Sequence, residues 1–444
     1  MWKPPSYWSK VSPQQPASYI IYKDDLGYIC AKNGSTGKID FRGTDAATVI
    51  QSAIDALPEY SYPWGGGHIH IKYGEYEITK KIVIDKPLRL TGEGRRGRTH
   101  LKAADGLNDR LLEVYLEGED FWTEIERIDF EGNKDNQTGG DYLLYFSGGY
   151  PIMRDVYVMK GYGTGIYVKA QDFHFFNVYS EFDNEHGWYI VCDQNGQLYS
   201  CTAWQNGKAG IRIKGHRWSL VNCRIMKNQG GEWDEAGLYI LEGNKGQVIG
   251  GYIAENQCHG IDMYDAEYVQ IIGTMIRDNS QKANNTYDGI RIRGNSNHNV
   301  ITGCTIFNTL TNKQKYGINE QDSADYNFII GNIIYGNVTG GINKIGANTI
   351  VKHNIGYVTE NSGVATFSGD GSTTDFEIGA HGLAVTDPEK IVVKVTPISD
   401  DAIAASPCVG YVDTADNTKI RVKFASAPAS GTDNVKIIWR AEVC

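Results

Sequence analysis

The sequence predicts an all-β protein: a right-handed parallel β-helix with an N-terminal capping helix and a C-terminal antiparallel β-sandwich. Three observations predict it. A glycine followed by alternating residues recurs at intervals of 22 to 29 residues: GIYV from Gly165, GWYI from Gly187, GIRI from Gly210, GLYI from Gly237, GIDM from Gly260, GIRI from Gly289, GINE from Gly317 and GINK from Gly341. Between copies lies a second apolar strand that commonly ends in Asn, at Asn206, Asn228, Asn256 and Asn279. The region has no 3.6-residue pattern, so each repeat reads as one coil of two or three short strands.

The elements follow in chain order. A Pro-rich leader precedes a hairpin expected over Tyr19 to Ala31, and together they make an N-terminal segment of residues 1–38. Thr44 to Leu57 (TDAATVIQSAIDAL) reads as an amphipathic helix, with Val49, Ile50, Ala53, Ile54 and Leu57 on one face and Thr44 or Asp45 as its cap. Such a helix would cover the open edge of the first coil, which otherwise invites pairing. GGGHIHIKYGEYEITKKIVIDKPLRLTGEG, from Gly65 to Gly94, alternates as strands, and coils continue through Ile128–Phe130 and Asp155–Val158 into the clear repeat. The β-helix is expected over residues 39–361. The repeat fades near Gly356 to Ser362. From there FSGDGSTTDFEI, KIVVKVTPIS and KIRVKFASAPASGTDNVKIIW read as antiparallel strands of a sandwich over residues 362–444, suited to trimerisation or carbohydrate binding.

Composition narrows the function. A net charge of −10 argues against nucleic acid or an anionic membrane as partner. No apolar run approaches the roughly 20 residues of a membrane span. The start, MWKPPSYWSK, lacks the apolar core of a signal peptide, so the expected location is extracellular or virion-associated, reached by lysis or within a particle. The 28 Tyr suit strand surface or sugar stacking. The eight cysteines (Cys30, Cys192, Cys201, Cys223, Cys258, Cys304, Cys408 and Cys444) show no CxxC or zinc spacing and are expected as buried free thiols. No metal or cofactor is expected.

Aligning coils on the glycine maps one outer face. The first and third residues after Gly are apolar and face the core; the second and fourth face solvent. The second position stacks Tyr167, Tyr189, Arg212, Tyr239, Asp262, Arg291 and Asn319, and the fourth stacks Lys169, Val191, Lys214, Leu241, Tyr264, Arg293 and Gln321. Interleaved rings, guanidinium groups and carboxylates suit a glycan. Arg212, Lys214, Tyr239, Tyr264, Arg291, Arg293, Trp233 and His259 are the expected substrate-binding residues. Asp262, Asp265 and Glu242 are the expected acid/base group. Glu242 and Asp265 share an offset on adjacent coils, which would set their carboxyls about 5 Å apart, and Asp262 lies diagonally from Glu242. An alternative is an ordinary sheet face on which Asp262 merely pairs with Arg291. His186, His259 and Asp288 each precede a repeated glycine. Glu255 and Asp278 form a reserve pair on another sheet.

TDAATVIQSAIDAL followed by GGGHIHIKYGEYEITKKIVIDKPLRLTGEG resembles the opening of the pectate-lyase-like β-helix superfamily found in tailspikes and secreted polysaccharide enzymes. The segment from FSGDGSTTDFEI to DNVKIIW resembles a small β-domain that often ends phage tail proteins. The resemblance implies a homotrimer; the residues are read first as a glycoside hydrolase that cleaves a polysaccharide with a carboxylate pair. A lyase or epimerase on uronates is the second reading, since Arg212, Lys214, Arg291 and Arg293 would neutralise a sugar carboxylate. A non-catalytic glycan-binding adhesin or tail protein is the third. Fold alone does not choose among them.

Overall fold

The computed structural model describes residues 17–58, 66–94, 98–116, 122–192, 194–231 and 236–444. The chain divides into two units, Met1–Asn327 with Gly336–Asn348, and Phe328–Tyr335 with Thr349–Cys444.

The first unit is wound from short parallel strands, none of which buries much alone. Ile211 and Ile213, Leu238 and Ile240, and Ile261 and Met263 have no exposed surface, as the alternation requires. Register stacks them: Ile211 lies opposite Leu238, Leu238 opposite Ile261, and Ile261 opposite Ile290. The glycines of the repeat therefore form a column. Among the described residues their sheet has eleven strands, from Ile82–Ile84 to Gly340–Asn343, each paired in parallel with its neighbours in the sheet.

The recurring Gly and the recurring Asn are one device. A Cβ on Gly187 or Gly210 would lie 2.5 Å from Nδ2 of Asn206 or Asn228, so only glycine leaves room for the buried amide. Each Asn then satisfies the coil before it. The Asn228 carboxamide oxygen accepts the Asn206 backbone N–H at 3.1 Å and its Nδ2 at 3.0 Å, and Asn256 treats Asn228 the same way at 3.0 Å and 3.0 Å. Asn279 and Gln314 continue the row. The residue before each ladder Asn, such as Gln205 or Lys227, adopts positive φ, which bends the chain sharply at this corner. Buried amides that complete one another offset the desolvation such a corner would cost.

The helix forms over Ala46–Asp55, with the Asp45 carboxylate accepting the Thr48 N–H at 3.0 Å as its cap. It packs against Ile29–Asn33, Ile39–Gly43, Gly74–Ile78 and Ile82–Ile84, and so covers the first coil as expected. The hairpin Tyr19–Lys23 with Ile29–Asn33 is antiparallel, and its first strand also pairs in parallel with Gly67–Ile71. The hairpin thus extends a sheet of the β-helix instead of standing apart.

The second unit carries two three-stranded antiparallel sheets, one ordered Glu360–Gly369, Gly431–Val443, Ile391–Pro397 and the other Asp375–Ala380, Lys419–Phe424, Cys408–Val412. Val422, Phe424, Val435 and Ile437 fill the space between them. Cys30, Cys192, Cys201, Cys223, Cys258 and Cys304 are buried free thiols, Cys408 is half-buried and Cys444 exposed. Among the described residues no helix is long and apolar enough to cross a membrane.

Candidate functional site

The outer face of the glycine-aligned sheet brings together the side chains that the repeat places in rows. Tyr145, Tyr167, Tyr189, Arg212, Tyr239, Asp262, Arg291 and Asn319 stand opposite one another in successive coils. Their groups touch along the helix axis. The Tyr145 and Tyr167 rings stack at 5.1 Å, Tyr142 closes on Tyr167 at 4.4 Å, and Tyr167 meets Tyr189 edge-on at 5.4 Å. The Arg212 guanidinium lies over Tyr189 at 4.7 Å and near Tyr239 at 5.7 Å. Burial in this row pushes the Tyr167 hydroxyl up to about 12, so it stays protonated and is no proton acceptor at neutral pH.

Beside the row lies a cavity of about 510 Å³, lined by Asp141, Tyr142, Tyr162, Glu185, His186, Tyr189, Lys208 and Arg212, with Gly140, Gly163, Thr164 and Gly231 completing the wall. That volume suits a small ligand or one segment of a polymer. Arg110 holds Asp141 with Nε 3.2 Å from one oxygen and Nη2 2.7 Å from the other, while Lys208 lies 2.7 Å from Glu185. Burial raises the Asp141 carboxyl, but the hydrogen bonds and charge of Arg110 outweigh it and hold it below the usual carboxylate range.

The expected acid/base group has a different geometry. Asp262 was expected to face solvent; it lies on the outer side of the sheet yet is completely buried. Arg291 forks onto it at 3.0 and 2.8 Å, and Arg293 adds contacts from 2.9 to 3.2 Å. Burial raises its carboxyl, and the two guanidinium groups more than reverse this. Glu242 and Asp265 follow Leu241 and Tyr264, which are paired. Both have positive φ, and they are engaged in opposite directions along the axis. Glu242 reaches Lys214 of the preceding coil at 2.8 Å, and Asp265 accepts the Asn295 N–H of the following coil at 2.7 Å.

Of the expected binding residues, Arg212 lines the cavity and Lys214 is held by Glu242. Tyr264 receives the Arg293 guanidinium at 4.5 Å. Tyr239 was expected exposed and is buried, packed with Ala209, Ala236, Leu241 and Tyr264. Trp233, with the rest of the acidic loop from Glu232 to Glu235, lies outside the described residues. His259 is buried, and its Nδ1 accepts the Asp288 backbone N–H at 2.8 Å, which assigns the ring proton to Nε2. Burial, followed by the nearby Arg291, holds its pKa well below the usual value, so its approach to the Asp288 carboxylate at 3.5 Å is not an ion pair. Burial raises Asp288 itself to about 6.

Sequence reasoning missed Asp141, Tyr142, Tyr145 and Glu185. The coil of Asp141, Tyr142 and Tyr145 contains no repeated glycine, since Leu143 stands where the later coils carry Gly, so alignment on glycine passes over it, while Glu185 precedes Gly187 by two residues, outside the aligned positions. The signal present was the alternation YLLYFS from Tyr142 to Ser147.

Residues 143–306 match the family described as the right-handed beta helix region. No curated protein matches the chain by sequence. Among solved structures it is similar to the ORF18 protein of Geobacillus virus E2, at 14% identity over 92% of this chain and 85% of that one, with a TM-score of 0.52. It is also similar to the enzymatically active domain of tailspike protein 2 from bacteriophage CBA120, at 10% identity over 96% and 79%, with a TM-score of 0.50. The A-module of mannuronan C-5 epimerase AlgE4 from Azotobacter vinelandii shares 19% identity over 69% and 96%, with a TM-score of 0.49. Winding, family match and structural likeness agree: this chain is a right-handed parallel β-helix protein.

Proposed function

We propose that the chain is a tailspike-like protein that binds a polysaccharide along its tyrosine row and cleaves it by hydrolysis, as a homotrimer on a virion or outside the cell. The observation that carries this is the row from Tyr145 through Tyr167 and Tyr189 to Arg212, with a cavity holding two carboxylates beside it. Aromatic faces stack on sugar rings, and the polar cavity wall offers donors and acceptors for hydroxyl groups. The likeness to the enzymatically active domain of a bacteriophage tailspike protein supports the same reading. In it, Asp262 has a structural part, holding Arg291 and Arg293, and Glu242 and Asp265 lie outside the cavity.

A lyase or epimerase is the second reading, favoured by Arg212 and Lys208 lining the cavity together, where they suit a sugar carboxylate. The test is incubation with purified bacterial capsular polysaccharides and lipopolysaccharides. New reducing ends without an ultraviolet-absorbing double bond are expected. A double bond at the new chain end would establish the lyase, and saturable binding without cleavage an adhesin.

A further inference from the structure

Resting on the reading that this face hydrolyses a glycan, we propose that Asp141 and Glu185 are its catalytic base and acid, acting across Gly163 with inversion at the anomeric carbon. Backbone bonds set the spacing. Thr164 N–H donates to Asp141 O at 2.9 Å, Glu185 N–H to Gly163 O at 3.2 Å and Lys208 N–H to Glu185 O at 2.9 Å, so these positions stack in successive coils. Asp141 and Glu185 stand two coils apart, which puts their Cα atoms about 10 Å from one another. Two carboxyl groups extended from such positions fall within the wide separation, roughly 6.5–9.5 Å, that admits a water as well as a sugar. Gly163, between them, contributes no side chain. A Cβ there would collide with the Asp141 carbonyl, so the gap is built into the backbone.

The surroundings divide the roles. The Arg110 fork keeps Asp141 ionised and fixes its direction, as a base requires. Glu185, partly exposed beside Lys208, lines the same cavity across the gap from Asp141 and takes the acid's role. Tyr142 and Tyr189 flank the gap as platforms for the rings on either side of the scissile bond. Asp141 takes a proton from water as the water oxygen bonds to the anomeric carbon. The glycosidic C–O bond breaks, and the Glu185 carboxyl gives its proton to the leaving oxygen. The products are a reducing end of inverted configuration and a free hydroxyl; Asp141 then loses its proton to solvent and Glu185 regains one. Among the described residues, Asp141 and Glu185 are the carboxylates that line this cavity, whereas Asp262 is buried beneath two arginines.

The test uses the full chain and whichever capsular polysaccharide or lipopolysaccharide glycan it cleaves. Glu185→Gln and Asp141→Asn should each lower kcat roughly 10²–10⁴-fold, with melting temperature and affinity for intact polymer retained. Proton NMR of fresh product should show the anomeric configuration opposite to that of the linkage. Arg110→Ala gives an independent reading: releasing Asp141 should move the acidic limb of the kcat/KM profile to higher pH. Wild-type turnover in either carboxamide variant, a retained configuration or an unmoved acidic limb overturns the assignment while the hydrolase reading stands. Failure of the wild-type chain to cleave any such glycan removes both.

Discussion

At the scale of the residue, the buried carboxylates differ in charge, and hydrogen counting shows it. Asp183 occupies the ladder position that Asn206 and Asn228 hold in later coils, and accepts the Gly161 N–H at 2.6 Å. Ser180 Oγ lies 2.8 Å from Asp183 Oδ2 and 2.7 Å from Gly187 O. A hydroxyl has one proton and a carbonyl has none to give, so Ser180 donates to Gly187 and Asp183 must donate to Ser180. Asp183 is therefore neutral, in agreement with burial raising its pKa well above the usual value. A raised carboxyl favours folding fully below its unfolded pKa and loses that contribution as pH rises toward the folded value. Asp183→Asn should then gain stability relative to the natural chain as pH goes from 4 to 8, read from urea midpoints; a constant difference would show an ionised Asp183. Asp262 has the opposite sign. Its lowered pKa contributes stability above the unfolded value near 4, lost as pH falls through the folded one. Asp262→Asn leaves two guanidinium groups facing a neutral partner and should cost about 3 kcal/mol at pH 7, shrinking in acid; an unchanged denaturation midpoint at pH 7 would refute this.

At the scale of the element, the corner ladder and the tyrosine row make separable predictions. Asn228→Ala removes the acceptor for both the Asn206 backbone N–H and Nδ2, and the donor to Ala203 O at 3.2 Å. Each orphaned buried group costs roughly 1–3 kcal/mol, so this substitution should rank among the most destabilising in the unit. Calorimetry compares it with Asn295→Ala, whose side chain is exposed in a turn. Tyr189→Ala, on the row, should weaken polymer binding with little change in melting temperature, because Tyr189 is half-exposed and outward-facing. Equal glycan affinity in Tyr189→Ala would remove the row as the binding surface. Both elements were legible beforehand, since period-2 alternation and a recurring corner Asn, replaced by Asp183 or Gln314 in some coils, survive in the sequence. Less legible was what covers an outward position. Tyr239 and Asp262 occupy the same row as half-exposed Arg212 but are buried, one by Ala209, Ala236 and Tyr264, the other by two arginines from the next coil.

At the scale of the whole molecule, a coil places residues more than twenty positions apart in contact, so a functional group is assembled along the axis instead of along the chain. The proposed trimer predicts a solution mass about three times that of the 49.3 kDa chain, measured by light scattering; a monomer at micromolar concentration would refute it. The sequence by itself determined the winding, the register of its rows, the capping helix and the antiparallel tail, because these depend on alternation, a glycine that must clear an amide, and local turn chemistry. The tertiary structure alone decided which acids share a space. Ion-pair partners come from neighbouring coils, a bulge at Glu242 shifts register by one residue, and a glycine at 163 opens a gap that no local pattern announces. Side-chain direction and burial are set by neighbours a full coil away, and a linear reading has no access to them until the coils are stacked.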